Sequence, residues 1–334
     1  MELTAKVKKT LNMGLRVVVA LLSLWFIYLQ VFRSGDYQWF AADFPQLLRE
    51  RSFLIFFLPA LLLMPVNWSL ESIKWRMLAL YVRKLSFGEA LRSVLTGISF
   101  SLFTPNRVGD SVGRIFSLRI GDPMNAVLLA VAGSLAQIIA TCFSGSLAFL
   151  FYIRKFFDFH EAWLSFFYAG LVIFVAIINL LMLMLYLRAP LVSAGFHKII
   201  KPGWQKIHGY ISVLQNVSRI VLGKVVLLSF LRYLVFSFQF YLMLRAFNID
   251  IPLLNALVLI AMTYLVMTAI PTIALADLGI RGSVAIYFIG SWFEPSVHAS
   301  TGILLATAMV WIINLAVPAL AGLLFIGRLT IFRK

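Results

Sequence analysis

The chain has 334 residues, 62% of them hydrophobic and only 13% charged, with a formal charge of +16 and a mean hydropathy of +0.95. Soluble domains carry about 25% charged residues, and a single core cannot enclose this much apolar surface at this length, which excludes a soluble globular protein. The Lys and Arg residues lie between apolar runs and not in a separate basic domain, so they read as topology signals and contacts to anionic lipid, not as a nucleic-acid surface.

Apolar runs of about 20 residues recur, the length at which a helix crosses hydrocarbon. A barrel would instead show alternating segments of about 10 residues. The first run, Leu11 to Phe32, follows Lys6, Lys8 and Lys9 like a signal peptide. It is longer than a usual h-region and lacks a small-x-small site after it, so it reads as a retained helix. Further spans are expected at 52–70, 124–152, 163–187, 224–246 and 301–326. Two more apolar regions, 88–118 and 253–292, are broken at their centres.

The positive-inside rule places the N-terminus in the cytoplasm. Lys74, Arg76, Arg83, Lys84 and Arg92 then lie inside, as do Arg188, Lys198, Lys201, Lys206 and Arg219, and the C-terminus with Arg328, Arg333 and Lys334. This parity closes if 88–118 dips in from the cytoplasm and 253–292 from outside, or if each broken region makes two full crossings. The halves of the first are too short for crossings; those of the second are long enough. The fold class is therefore an all-α integral membrane protein of six to eight transmembrane helices with two broken or re-entrant hairpins. The order within 1–152 recurs inverted in 163–326, which points to an inverted repeat in one transmembrane domain over 1–334. The intervening segment 188–223, from Gly195 onward above all, mixes cations with apolar residues and suits either a surface helix or a connecting loop.

Ionisable groups within membrane segments are costly and mark functional sites. Here they are Arg107, Asp110 and Arg114 in the first break, Asp277 and Arg281 in the second, Arg232 in the fifth span, and Glu71, Lys74 and Arg76 at the end of the second. Pro105 removes a donor and ends the helix before it. Gly109 permits close backbone approach. A half-helix starting near Arg107 would turn free N–H groups towards an anion, with Arg107 supplying a planar fork for phosphate. Pro271, Asp277, Gly279 and Arg281 repeat the ingredients. These residues are the candidate substrate-binding and backbone positions, although Asp110 with Arg107 and Asp277 with Arg281 also have the spacing of pairs that neutralise each other. Trp68, Glu71, Trp75 and Arg76 read as an interfacial anchor, and Arg232 as a counter-ion for Asp110 or Asp277. Four scattered His residues and one Cys, Cys142, give no expected metal site, disulfide or cofactor. There is no P-loop.

Thr104-Pro105-Asn106-Arg107-Val108-Gly109-Asp110 resembles the Thr-Pro-Gly-Arg-hydrophobic-Gly-Glu/Asp motif of the lysylphosphatidylglycerol synthase transmembrane, or flippase-like, family. Leu278-Gly279-Ile280-Arg281 resembles its later Pro-Gly-Gly-Leu-Gly-Val-Arg-Glu motif, and Asn67-Trp68 with Lys74-Trp75-Arg76 also looks like the family. Asn106 stands where the family has Gly, Leu275-Ala276-Asp277 replaces Pro-Gly-Gly, and Gly282 replaces Glu, a loss for which Asp277 would compensate. The resemblance implies a lipid-translocating module of the cytoplasmic membrane of bacteria. The chain ends at Lys334 without the soluble aminoacyl transferase domain of fused relatives, so lipid aminoacylation is not expected. The expected function is translocation of a phospholipid or other phosphate-bearing lipid, without catalysis. Its partners would be anionic headgroups, with a second copy or a membrane enzyme as a further partner. The alternatives are a membrane enzyme acting on lipid-linked substrates, for which Asp110 and Glu71 are the obvious candidates, and an accessory scaffold.

Overall fold

The computed structural model describes residues 50–102, 104, 109–116, 123–156, 161–190, 213–270, 274–294 and 297–326. The elements in order are α1 (Arg51–Ala79), α2 (Phe87–Ser101), α3 (Gly109–Phe116), α4 (Pro123–Phe156), α5 (Ala162–Leu187), α6 (Arg219–Ala246), α7 (Leu253–Ala269), α8 (Ala274–Gly290) and α9 (Val297–Trp311). A π-helical turn (Ile312–Ala316) joins α9 to α10 (Val317–Ile326). The protein is an all-α, multi-pass membrane protein. Helices α1, α4, α5 and α6 and the joined α9–α10 rod are long and apolar enough to cross a bilayer. These are the five expected spans that fall among the described residues. The expected span 11–32 and most of the segment 188–223 lie outside them; residues 219–223 form the first turn of α6.

The second span is longer than its hydropathy suggests. It runs to Ala79 and takes in Glu71, Lys74, Trp75 and Arg76, which the sequence places at a cytoplasmic border. Its charges do not end the helix because most are paired inside the protein, as described below. Within it, Pro59 and Pro65 leave carbonyls without their usual donors; one carbonyl nearby, that of Ala60, accepts from Gln239 Nε2 on α6 at 2.9 Å.

The centre of the molecule is the antiparallel pair α1 and α6. Phe53 meets Phe247 at one end, and Tyr81 accepts a hydrogen bond from the Ser218 N–H at the other. At its C-terminal end α6 stops on Asn248, whose φ of 59° is the left-handed conformation that Asn tolerates at a helix end.

Both broken regions are helical hairpins. Helices of 15 and 8 residues, α2 and α3, extend about 22 and 12 Å, short of the roughly 30 Å hydrocarbon. They run antiparallel in close contact: a Cβ on Gly113 would lie 2.8 Å from the Gly97 Cα, and Ser93 Oγ donates to the Arg114 carbonyl at 3.0 Å. Ser86 opens α2 with a reciprocal capping box to Glu89. Those hydrogen bonds hold the Glu89 carboxyl below its ordinary pKa. The second pair, α7 and α8, has 17 residues in each arm, enough for crossings. Thr268 in the last turn of α7 and Arg281 at the middle of α8 share a cavity with Gln137 and Arg232, which lie near the midpoints of α4 and α6.

Pro318 accounts for the π turn. It has no N–H to donate four residues back, and its ring crowds the preceding turn, so the rod widens just before it.

Candidate functional site

Two polar assemblies lie within the apolar bundle, and Arg232 belongs to both. The first centres on Glu71 of α1, which is 3% exposed. Its carboxylate meets Lys74 Nζ at 2.8 Å, an Arg114 nitrogen at 2.9 Å and an Arg232 nitrogen at 3.0 Å. Arg114 also donates through Nε to Asp110 Oδ1 at 3.0 Å and is paired to the second oxygen. Lys74 Nζ donates to Ser229 Oγ at 3.4 Å. Three elements, α1, α3 and α6, are thus bound through one carboxylate. Charges this deep persist only when paired, because removing them from water costs more than any single contact returns.

Aromatic rings enclose the cluster. The Arg114 guanidinium lies 5.7 Å from the Trp75 ring centroid, and Trp75 Nε1 donates to Ser93 Oγ at 3.1 Å. Trp68 is 6% exposed and Trp75 1%. The anchor reading of Trp68, Glu71 and Trp75 is therefore corrected: they face the protein interior, and of that group only Arg76 is exposed. Lys74, also expected at the border, is buried with them.

The second assembly is a cavity of about 260 Å³. Arg232 and Arg281 both line it, with Gln137, Thr141, Thr268 and Asn314 as neutral polar neighbours. Trp68, Tyr233, Phe236, Tyr264 and Trp311 form much of the remaining wall. Arg232 is held by Asn67 Oδ1, which accepts from its Nε at 2.7 Å, and by Gln137 Oε1 at 3.3 Å. Asn67 Nδ2 in turn donates to Asn314 Oδ1 at 3.0 Å, which ties Arg232 to the π turn. The Arg232 guanidinium also lies 5.5 Å from the Trp68 centroid and 5.1 Å from that of Phe236. Arg281 donates from one terminal nitrogen to both Asp277 oxygens, at 3.2 and 3.1 Å.

The expected site residues divide accordingly. Asp110 and Arg114 join the Glu71 cluster, and Asp277 and Arg281 form their own pair, with Arg281 on the cavity. Gly109 begins α3 and donates its N–H to Thr104 Oγ1 at 2.7 Å. Gly279 is helical, with nothing within 4 Å of a Cβ placed on it. Pro105, Arg107 and Pro271 lie outside the described residues. Arg232 is a counter-ion, as expected, and the carboxylate it meets at 3.0 Å is that of Glu71, which the sequence did not suggest. The sequence reading missed Glu71 as the hub, gave Asn67 only as part of the family resemblance, and missed Gln137 and Asn314 entirely. The available signal was the run Asn67, Glu71, Lys74, which places three polar residues on one face of an apolar helix.

A multi-pass helical protein with an arginine-lined cavity at mid-bundle is built to handle polar groups inside a membrane. The chain belongs to the lysylphosphatidylglycerol synthase TM region family, which it matches over residues 13–322. That membership places it among membrane proteins of lipid metabolism or translocation. No curated protein and no solved structure matches the chain.

Proposed function

We propose that the protein is a lipid translocase of the cytoplasmic membrane, without catalytic activity, that passes a phosphate-bearing headgroup through the cavity while the acyl chains stay in the bilayer. The observation that carries this reading is the pair of guanidiniums, Arg232 and Arg281, on one small cavity at the middle of the apolar helices. Guanidinium forks match phosphate oxygens geometrically and stay charged in an apolar setting. A cavity of about 260 Å³ suits a headgroup and not a whole lipid. All three carboxylates in the described membrane segments, Glu71, Asp110 and Asp277, are ion-paired to cations, which favours binding over acid–base chemistry.

The packing supports an inverted repeat over 1–152 and 163–326. Helix α1 packs along α6, the α2–α3 hairpin rests on α10 through α2, and the α7–α8 hairpin rests on α4 through α7. A two-fold axis in the membrane plane would exchange these contacts in pairs. Rocking of the halves about α1 and α6 would then expose the cavity alternately. In this arrangement the N- and C-termini are cytoplasmic.

The test is lipid translocation in proteoliposomes by the double variant Asp277→Asn/Arg281→Gln, which removes a charge pair without orphaning either partner. Translocation is expected to fall at least about tenfold, the loss of one charge-assisted phosphate contact. An unaltered rate excludes the cavity as the route.

A further inference from the structure

Arg232 is shared between the two polar assemblies. It lines the cavity, and its Nη1 pairs at 3.0 Å with Glu71, a buried carboxylate that does not line it. The same Nη1 donates at 3.3 Å to Gln137 Oε1, on a residue of the cavity wall, while Nε donates to Asn67 Oδ1 at 2.7 Å. The guanidinium that an anion in the cavity would meet is therefore already engaged by a carboxylate from behind. Giving up Arg232 would not leave that carboxylate bare. Lys74 Nζ stays at 2.8 Å from it and an Arg114 nitrogen at 2.9 Å. A buried carboxylate stripped of every cation is strongly unfavourable, but one that keeps two can release a third. Repulsion among the cations gathered on it falls when one withdraws.

We infer that Glu71 is a positioning residue for the cavity: it competes with the phosphate of a bound headgroup for Arg232, which holds the affinity of the cavity down and drives the headgroup off again. On loading, the phosphate oxygens accept from Arg232 and Arg281, Arg232 turns away from Glu71, and Glu71 keeps Lys74 and Arg114. On release, Glu71 takes Arg232 back. A site that its ligand passes through must bind well enough to admit it and weakly enough to let it leave, and an internal carboxylate that the ligand displaces meets both conditions. The Glu71 link between α1 and α6 is then open in the loaded cavity and closed in the empty one. The release step rests on the translocation reading; the competition for Arg232 requires only that a phosphate group binds.

The full chain, purified in a neutral detergent, is titrated with phosphatidylglycerol and, separately, with inorganic phosphate, and affinity is read from the rise of the thermal unfolding midpoint with ligand concentration. Glu71→Gln is expected to bind phosphatidylglycerol at least about tenfold more tightly than the wild type, one charge-assisted contact being freed for the ligand. Glu71→Asp keeps the charge but draws the carboxylate back by one methylene, and should tighten binding by at least about threefold. It retains a carboxylate for Lys74 and Arg114, so it carries the test if Glu71→Gln does not fold. In an Arg232→Gln background neither change should tighten binding, because the contested group is gone. A field effect of the lost charge would instead leave Glu71→Asp at the wild-type affinity and make Glu71→Gln tighter in both backgrounds; either result overturns the inference. Weaker binding by Glu71→Asp, the outcome of a purely structural role, overturns it too. Tightening with inorganic phosphate alone overturns the lipid assignment. In proteoliposomes, Glu71→Asp should lower both the mole fraction of phosphatidylglycerol that gives half the maximal rate and the maximal rate itself; an unchanged maximal rate overturns the release step. No lipid movement by the wild type, with the binding pattern intact, removes the translocation reading and leaves the competition standing. Movement by the wild type, with affinity indifferent to residue 71, does the reverse.

Discussion

Glu71 is the residue on which the inner structure turns. Replacing it with Ala would take the shared carboxylate from Lys74, Arg114 and Arg232, and breaking a buried ionic group in this way costs about 3–5 kcal/mol. Thermal unfolding in detergent should show that loss, and Glu71→Ala/Lys74→Met should recover part of it by removing one stranded charge. Asn67→Ala should cost about 1–3 kcal/mol, since Arg232 and Asn314 each lose a buried partner. The sequence exposed part of this network. Asp277 was paired with Arg281 from helical spacing, and the two do meet; Asp110 was paired with Arg107, whereas the described structure joins it to Arg114, and Glu71 with Lys74 has the same spacing but was not read as a pair. Arg232 has no carboxylate on its own helix, so its partner depended on how α6 lies against α1, which spacing does not specify. The anchor reading of Trp68 and Trp75 failed for the same reason: composition places a Trp near a border, but only packing decides which side of the helix is covered.

At the scale of elements, close helix contacts depend on a few glycines. Gly322 of α10 sits where a Cβ would press into the Leu95 carbonyl oxygen and Ser99 Oγ of α2, and Ser99 Oγ donates to the Ala319 carbonyl at 2.7 Å. Gly322→Ala should therefore separate α2 from α10 and cost about 1–3 kcal/mol, as overpacking does. Gly279→Ala is the control. The site is open, α8 gains a better helix former, and stability should hold or rise by up to about 1 kcal/mol. Thermal unfolding of the two variants side by side checks both. The long spans were legible because length and hydropathy alone specify a crossing helix. The break between α7 and α8 was legible from Pro271, but its direction was not. Arms of 17 residues fit two crossings or one hairpin, and spacing does not choose between them; what packing adds is that Thr268, Arg281 and Arg232 line one cavity.

For the whole molecule, the antiparallel α1–α6 pair puts Lys84 and Asp250, both exposed, at opposite ends of the bundle. In a Cys142→Ala background, Lys84→Cys should react with an impermeant maleimide only from the cytoplasmic side and Asp250→Cys only from the other. Labelling of both from one side would reject the topology. The Glu71 carboxylate has a mechanical consequence. It fastens α3 and α6 to α1 through Arg114 and Arg232, so a displacement of the short α2–α3 hairpin must either carry both long helices with it or break a buried ion pair: the cluster works as a rivet through three helices.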